Sequence, residues 1–188
     1  MLNNFWSNPL FWISLYLAGY ITTIVVLSLK EVSAKVENKI PKPLIRVFIL
    51  FTFIVPVIAL PFTEGPGIAI PTLVTLTTGT IILGINFIIK ILAQRQIGAS
   101  PALKSKAKLV TTGIYGIVRN PLYMSNRLLA VGMAILFKSM YALLFSILYS
   151  LSYLLIIYFE ERNLLKKYGK EYKKYMEKVR CKLIPYLF

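Results

Sequence analysis

Five stretches of this chain are long and apolar enough to suggest helices that cross a lipid bilayer. A helix needs about 20 mainly apolar residues to span the hydrocarbon core. The chain is 57% hydrophobic, above the roughly half that is usual for a soluble domain. We therefore predict an all-α, polytopic integral membrane protein with about five transmembrane helices. The predicted spans are Pro9–Leu29, Leu44–Phe62, Ile68–Leu92, Leu122–Phe137 and Tyr141–Phe159.

The charged residues lie mostly between these spans, and basic and non-basic connections alternate. The connections Lys30–Arg46, Lys90–Asn120 and Glu160–Phe188 hold five, six and nine basic residues. The connection after span two holds only Glu64, and the connection after span four holds only Lys138. Basic connections face the cytoplasm by the positive-inside rule. We therefore predict that the N-terminus lies outside and the C-terminus in the cytoplasm.

The last two predicted spans are joined by a very short turn, Lys138–Met140. A connection of this length forces the two helices into an antiparallel hairpin. Its open ends, residues 119–123 and 159–161, then return to the same membrane surface. Beyond the hairpin, apolar residues recur at helical spacing between lysines from Leu164 to Val179. This pattern predicts an amphipathic cytoplasmic tail that lies on the membrane or packs over the hairpin.

Several charged residues near the inner ends of the hairpin are candidates for function. Glu160 and Glu161 either end the span at the interface or form a carboxylate site for a cation or a pair of hydroxyls. Arg127 lies inside a predicted span, so it either faces a polar cavity or extends toward the interface. Arg119–Tyr123 either anchors the helix start or faces the two glutamates across the hairpin.

The composition excludes several kinds of site. The chain has no histidine and one cysteine, Cys181. A disulfide within the chain, a histidine-based triad and a Cys/His zinc site are therefore excluded, and no metal is predicted. Cys181 is more simply a structural cysteine than a nucleophile. The net charge of +15 is not interleaved with aromatic residues as nucleic-acid binding requires, so anionic membrane lipids are the simpler partner.

Two motifs flank the predicted hairpin. The residues of Gly113–Tyr123, GIYGIVRNPLY, resemble the G-x-Y-x-x-x-R-H-P-x-Y signature of the isoprenylcysteine carboxyl methyltransferase and phospholipid methyltransferase superfamily. The lead-in Leu109–Thr112 also fits this family. Glu160-Glu161 with Leu164–Tyr175 resembles its E-E … L-x-x-x-[FY]-G-x-x-Y-x-x-Y ending, and Val179–Pro185 resembles its closing V-x-R…I-P stretch. The resemblance thus covers Leu109–Pro185.

This resemblance implies a membrane-embedded methyltransferase that moves a methyl group from S-adenosylmethionine to a lipophilic acceptor such as an isoprenoid or a lipid. It divides a single domain, residues 1–188, into three N-terminal spans in 1–95 and a cofactor-binding loop, hairpin and tail in 96–188. Arg119 and Glu160 become the candidate catalytic residues. The candidate cofactor-binding residues are Leu109, Val110, Tyr115, Asn120, Pro121, Tyr123, Glu160 and Glu161.

The chain departs from the family pattern at two positions. Asn120 replaces the commoner histidine; asparagine can donate and accept hydrogen bonds but cannot titrate. Ile156 stands where prenylcysteine enzymes carry an arginine for the substrate carboxylate. A prenylcysteine acceptor is therefore less expected than another lipophilic acceptor. Arg127, on the neighbouring helix, is our candidate for a substitute substrate-binding charge.

Two other functions stay open from the sequence. Membrane reductases of the sterol type carry a similar hairpin motif and use NADPH, but their chains are usually much longer. A non-enzymatic scaffold whose basic tail binds anionic lipid is the third interpretation, although lipid binding does not require the paired motifs. The oligomeric state is not predicted.

Overall fold

The computed structural model describes residues 5–29, 40–97 and 109–183. This part of the chain is 81% helical and contains no strand, which confirms the all-α prediction. Residues 30–39 and 98–108, which belong to two of the basic connections, lie outside the described residues. Ile184 and Pro185 of the closing motif also lie outside them. The α-helices are α1 (Pro9–Ser28), α2 (Lys42–Ile49), α3 (Val55–Ala59), α4 (Thr72–Ile97), α5 (Pro121–Leu136), α6 (Met140–Tyr168) and α7 (Lys170–Lys178). Shorter helical turns are Phe5–Ser7, Leu60–Phe62 and Gly113–Gly116, and Leu50–Ile54 is π-helical.

Four helical stretches are long and apolar enough to cross a membrane. They are Pro9–Ser28, Pro43–Phe62, Thr72–Gln96 and Met140–Tyr168. The predicted fourth span is also an apolar helix, α5, but it has only 16 residues. At 1.5 Å per residue it is about 24 Å long, short of the roughly 30 Å hydrocarbon core. All five predicted helices exist, and four of them have the length of a full crossing.

Three of the predicted helix bounds are wrong, and one of them is the end of the third span, which lies at Ile97 rather than Leu92. The third span begins at Thr72 rather than Ile68, because the Ile68 amide donates to the Lys138 carbonyl (2.7 Å) instead of starting a helix. The last span does not end at Phe159, since α6 continues to Tyr168 and stops at Gly169. Gly169 has a φ of +53°, a conformation that favours glycine, and it separates α6 from α7.

The antiparallel hairpin of α5 and α6 is confirmed. Its turn is closed by Lys138, whose φ is +56°, and by Ser139, whose hydroxyl oxygen accepts from the Ala142 amide (3.3 Å) and caps α6. A cap of this kind satisfies a backbone donor that the helix itself leaves unpaired. We call this end of the hairpin the turn side. The opposite end, from which α7 follows, is the tail side.

Helix α4 lies antiparallel to α5 and packs closely against it. A side chain at Gly79 would meet the Leu136 backbone near the turn side, and one at Gly132 would meet Leu83. Farther toward the tail side, the Asn86 amide donates to the Ser125 carbonyl. Small residues such as these glycines let membrane helices approach closely, and polar side chains such as Asn86 add hydrogen bonds between the helices. The C-terminal end of α4 therefore reaches the tail side beside the start of α5.

Aromatic side chains fill the core between α1 and α6. The Tyr16 ring lies 5.0 Å from the Phe145 ring and 5.3 Å from the Tyr149 ring, measured between centroids. The Tyr16 hydroxyl is hydrogen-bonded to the Ser152 hydroxyl. Buried tyrosines need such partners because an unpaired hydroxyl is costly inside an apolar layer.

Candidate functional site

The tail-side ends of the hairpin meet through Tyr123 and Glu160. Tyr123 lies in the first turn of α5, and its hydroxyl donates to Glu160 Oε1 on α6 at 2.7 Å. The two residues are 37 positions apart in the sequence. Glu160 is partly buried, and its other carboxylate oxygen has no hydrogen-bond partner among the described residues. This oxygen can accept from a ligand.

The next glutamate, Glu161, pairs with Arg119. Arg119 Nε lies 2.7 Å from Glu161 Oε1, and the two side chains are only 4% and 8% exposed. Arg119 Nη1 also donates to the carbonyl oxygens of Val179 (2.7 Å) and Arg180 (2.9 Å). A buried ion pair persists only when its remaining donors and acceptors are satisfied as well, and this pair meets that condition.

Residues 179–183, which we call the strap, pass over the start of α5. The Arg119 amide donates to the Cys181 carbonyl (2.9 Å), and the Asn120 amide donates to the Lys182 carbonyl (3.1 Å). Asn120 Nδ2 donates to the same Lys182 oxygen at 3.2 Å. Asn120 thus uses its side-chain donor, which a neutral histidine could also supply, to hold the strap.

The loop before α5 is held under α7. Gly113 has a φ of +60°, and a side chain there would collide with Gln96 of α4. The following turn buries Tyr115. The Tyr175 hydroxyl of α7 donates to the Tyr115 carbonyl at 2.7 Å. The first glycine of the motif therefore allows the loop to approach α4, and the Tyr175 hydrogen bond joins the loop to α7.

Buried tyrosines surround this region, and their ionisation is suppressed. Burial raises the pKa of Tyr115, and the nearby Tyr175 and Glu160 raise it further. Burial also raises the pKa of Tyr172, as do the charges of Glu161 and Glu160. Neither phenol hydroxyl has a hydrogen-bond partner in the part of the chain that the structure describes. Both residues are therefore neutral donors close to Glu160.

Most of the predicted site residues converge on the tail side. Tyr115, Arg119, Asn120, Pro121, Tyr123, Glu160 and Glu161 all lie at the junction of loop, hairpin and strap. Leu109 packs against the buried cluster of Tyr172, Tyr175 and Val179. Val110 is partly buried beside it in the chain. Arg127 is partly buried on α5 and has no hydrogen bond or ion pair with the described residues.

The tail packs over the hairpin. Tyr172 and Tyr175 are 2% and 5% exposed and belong to the same apolar cluster as Leu164 of α6. Packing over the hairpin is one of the two arrangements that the amphipathic pattern predicts. Tyr172 and Tyr175 were not among the predicted site residues, although the Y-x-x-Y of the second motif was the available signal.

A second polar group, also missed from the sequence, lies one turn closer to the middle of the hairpin. Lys90 Nζ on α4 lies 3.3 Å from Asn126 Oδ1 on α5. Asn126 Nδ2 donates to the Tyr153 hydroxyl at 3.2 Å, and that hydroxyl donates to Tyr149 at 2.7 Å. The rings of Tyr123 and Tyr153 lie 4.6 Å apart between centroids, so this group adjoins Glu160. A lone lysine near the end of an apolar span was its sequence signal.

No group of three or more histidine, cysteine, aspartate or glutamate side chains able to hold a metal is found among the described residues. No relative is found among curated proteins. A family model described as phospholipid methyltransferase matches residues 74–171, just over half of the chain. The match begins in α4, includes the loop and the whole hairpin, and ends in α7. The chain therefore belongs to the phospholipid methyltransferase family, within the superfamily of integral membrane methyltransferases.

Proposed function

We propose that this membrane methyltransferase takes its methyl group from S-adenosylmethionine at the tail side of the hairpin and transfers it to a lipophilic acceptor. The observation that carries the proposal is the Glu160 carboxylate, which Tyr123 holds at 2.7 Å through one oxygen while the other is open to a ligand. It lies where the two family motifs meet.

The side chains around Glu160 suit the donor's functional groups. S-adenosylmethionine has an amino group and ribose hydroxyls, and either can donate to the open oxygen of Glu160. Its sulfonium cation can lie against tyrosine rings, and Tyr115 and Tyr172 are buried in this region. When bound, S-adenosylmethionine would supply an electrophilic methyl group. Leu109, Val110 and Pro121 would add apolar contacts.

Arg119 and Glu161 are proposed to act by positioning. Arg119 Nε and Nη1 are already engaged by Glu161 and by strap carbonyls. Only Nη2 is free of hydrogen bonds within the described residues, so a direct contact with the donor's carboxylate would have to use that nitrogen. The predicted catalytic role of Arg119 stays a prediction. Its contacts favour a role in fixing Asn120 and the strap beside Glu160.

Methyl transfer at this site is proposed to depend on the orientation of the bound donor and on the exclusion of water. Methyl transfer from a sulfonium disperses or removes charge in the transition state, so a well-oriented site with little water helps more than an acid or a base. Tyr123 fixes the Glu160 carboxylate, and the strap and α7 cover the junction. The use of Asn120 as a strap contact is compatible with a chain that has no histidine.

The acceptor is proposed to be a lipid other than a prenylcysteine. Ile156, at the position of the substrate arginine in prenylcysteine enzymes, is 3% exposed and lies in the apolar core. It provides no charge for a prenylcysteine carboxylate. Arg127 has no ion-pair partner in the described part of the chain, and its role as a substrate-binding charge stays a prediction.

Calorimetry on the purified protein in detergent tests the donor. We expect S-adenosylmethionine to bind and NADPH not to bind. Binding of NADPH alone would refute the proposal in favour of a reductase, and binding of neither would favour a lipid-binding scaffold. Glu160→Gln should weaken S-adenosylmethionine binding by about 1–3 kcal/mol, because it removes the charge that accepts a partly buried hydrogen bond. Glu177→Gln, a change of an exposed tail glutamate, is the matched control.

We also infer that the tail side faces the cytoplasm. The alternation of basic and non-basic connections supports this orientation. Trypsin added to sealed vesicles of known orientation tests it, since the tail carries nine of the basic residues. Cleavage of the tail only from the cytoplasmic face is the expected result, and cleavage only from the outer face would reverse the orientation.

A further inference from the structure

Lys90 is a cation with no counterion among the described residues, and it lies near the tail-side end of an apolar helix. It lies on α4 within the stretch Thr72–Gln96, which is apolar enough to span a membrane. Among the described residues, no carboxylate lies within ion-pair distance of its amine. Its one hydrogen-bond partner there is the neutral amide of Asn126, at 3.3 Å. A charge in this environment is costly and usually serves a function.

The position of the Lys90 amine is held by a chain of hydrogen bonds. Asn126 Nδ2 donates to the Tyr153 hydroxyl, which donates to Tyr149. Tyr153 and Tyr149 are 2% and 0% exposed, so the Asn126 amide is fixed with its oxygen toward Lys90. An ammonium group has three donors, and Asn126 takes one. The other two are available to a ligand.

The surroundings of Lys90 suit a lipid. Phe87, one turn earlier on α4, is 64% exposed, and Ile88 is 58% exposed, so acyl chains can lie along this helix. Asn126 follows Tyr123 by three residues on α5, which places it about 4.5 Å farther along the helix axis. An anion bound at Lys90 would therefore lie about one turn from the Tyr123–Glu160 pair.

We propose that Lys90, held by Asn126, binds the anionic group of the lipid acceptor and selects for acceptors that carry one. The proposal rests on the function proposed above, because it takes the neighbouring Glu160 region as the donor site. A phosphate and a carboxylate have the same chemistry toward an ammonium group. The bound anion supplies the counterion that the described residues lack, and Tyr153 forms a wall common to both sites.

Lipid binding measured without any methyl donor tests this site. Native mass spectrometry in a neutral detergent would compare dioleoyl phosphatidic acid, oleic acid and dioleoylglycerol. We expect one or both anionic lipids to bind about 10-fold or more tightly than dioleoylglycerol, the scale of a charge-assisted hydrogen bond. The phosphatidic acid and oleic acid arms distinguish a phosphate from a carboxylate.

Three variants decide whether Lys90 carries the preference. Lys90→Met should abolish it, and it should not impair folding, because it removes a charge from an apolar span. Lys90→Arg should keep it. Arg95→Gln, at an exposed position on the same helix, should also keep it. An undiminished preference in Lys90→Met, or no preference in the unmodified chain, would overturn the proposal.

Calorimetry separates this proposal from the proposed function. S-adenosylmethionine binding by Lys90→Met should match that of the unmodified chain, because Lys90 is not proposed to contact the methyl donor. Failure of the unmodified chain to bind S-adenosylmethionine would refute the donor site while leaving the lipid measurement valid. Loss of lipid preference together with intact donor binding is the result that the proposal requires.

Discussion

Arg119 and Glu161 form a buried ion pair, with Arg119 Nε 2.7 Å from Glu161 Oε1, across 42 residues of sequence. The same guanidinium holds the strap through the carbonyls of Val179 and Arg180. One side chain thus ties together the start of α5, the end of the membrane part of α6 and the tail. Arg119 therefore holds the tail in place through these contacts, in addition to being a candidate residue for binding the methyl donor.

Breaking this pair should destabilise the tail-side junction. Arg119→Met leaves the Glu161 carboxylate and the strap carbonyls buried and unpaired, and Glu161→Gln leaves the Arg119 guanidinium without its counterion. Each loss should cost about 3–5 kcal/mol. We expect a lower unfolding midpoint in detergent and faster tryptic cleavage in the strap for each variant.

A control and a double variant show whether pairing is the cause. Lys182 lies 3.8 Å from Glu161 Oε2 and its side chain is 47% exposed, so Lys182→Gln should change stability by only about 0–1 kcal/mol. Arg119→Met combined with Glu161→Gln should be less destabilised than the two single losses added together. Additive losses would contradict a role for the ion pair itself.

Tyr123→Phe should weaken donor binding less than Glu160→Gln does. It removes the hydroxyl that holds Glu160 Oε1 but leaves the carboxylate charge, so we expect a loss of about 1 kcal/mol in S-adenosylmethionine affinity. Calorimetry measures it. Tyr158→Phe, which lies on α6 two residues before Glu160 and is 57% exposed, is the control. A Tyr123→Phe affinity equal to that of the control would mean that the tyrosine does not orient Glu160.

The sequence predicts the hairpin because a three-residue turn leaves two apolar helices no other arrangement. The facing of Tyr123 and Glu160 follows from that geometry. The hairpin geometry does not predict that the adjacent glutamates, Glu160 and Glu161, have different partners. Consecutive helical residues point about 100° apart, so only the rotation of α6 decides that Glu160 meets Tyr123 while Glu161 meets Arg119.

The contacts of the strap could not be predicted from the sequence for a different reason, and hydropathy alone misplaces the end of α6. Arg119 and Asn120 bind the strap through backbone carbonyls, and a carbonyl has no residue signature. Hydropathy ends the last span at Phe159, but a helix continues until something stops it. Here the first such residue is Gly169, with its positive φ.

Glycines on one helix should differ sharply in their tolerance of alanine. At Gly79 a Cβ would lie 2.8 Å from Cα of Leu136, whereas at Gly84 nothing lies within 4 Å. Gly79→Ala should push α4 away from α5 and cost about 1–3 kcal/mol. Gly84→Ala should be neutral or stabilise by up to about 1 kcal/mol through helix propensity. Unfolding midpoints in one detergent compare the two, and equal effects would contradict the close packing of α4 on α5.

Alkaline pH should loosen the packing of α7 over the loop. The pKa of Tyr175 is raised from 10.0 to about 12, chiefly by burial, while the charge of Arg119 lowers it and that of Glu161 raises it. Between these values the folded state binds more protons than the unfolded state, so stability is fully present below pH 10.0 and is lost as pH rises toward about 12. The phenolate cannot donate to the Tyr115 carbonyl as the phenol does. Ultraviolet absorbance should show a late phenolate transition that is missing in Tyr175→Phe, and near-ultraviolet circular dichroism should change over the same range. Titration of Tyr175 near its ordinary value would contradict its burial between α7 and the loop.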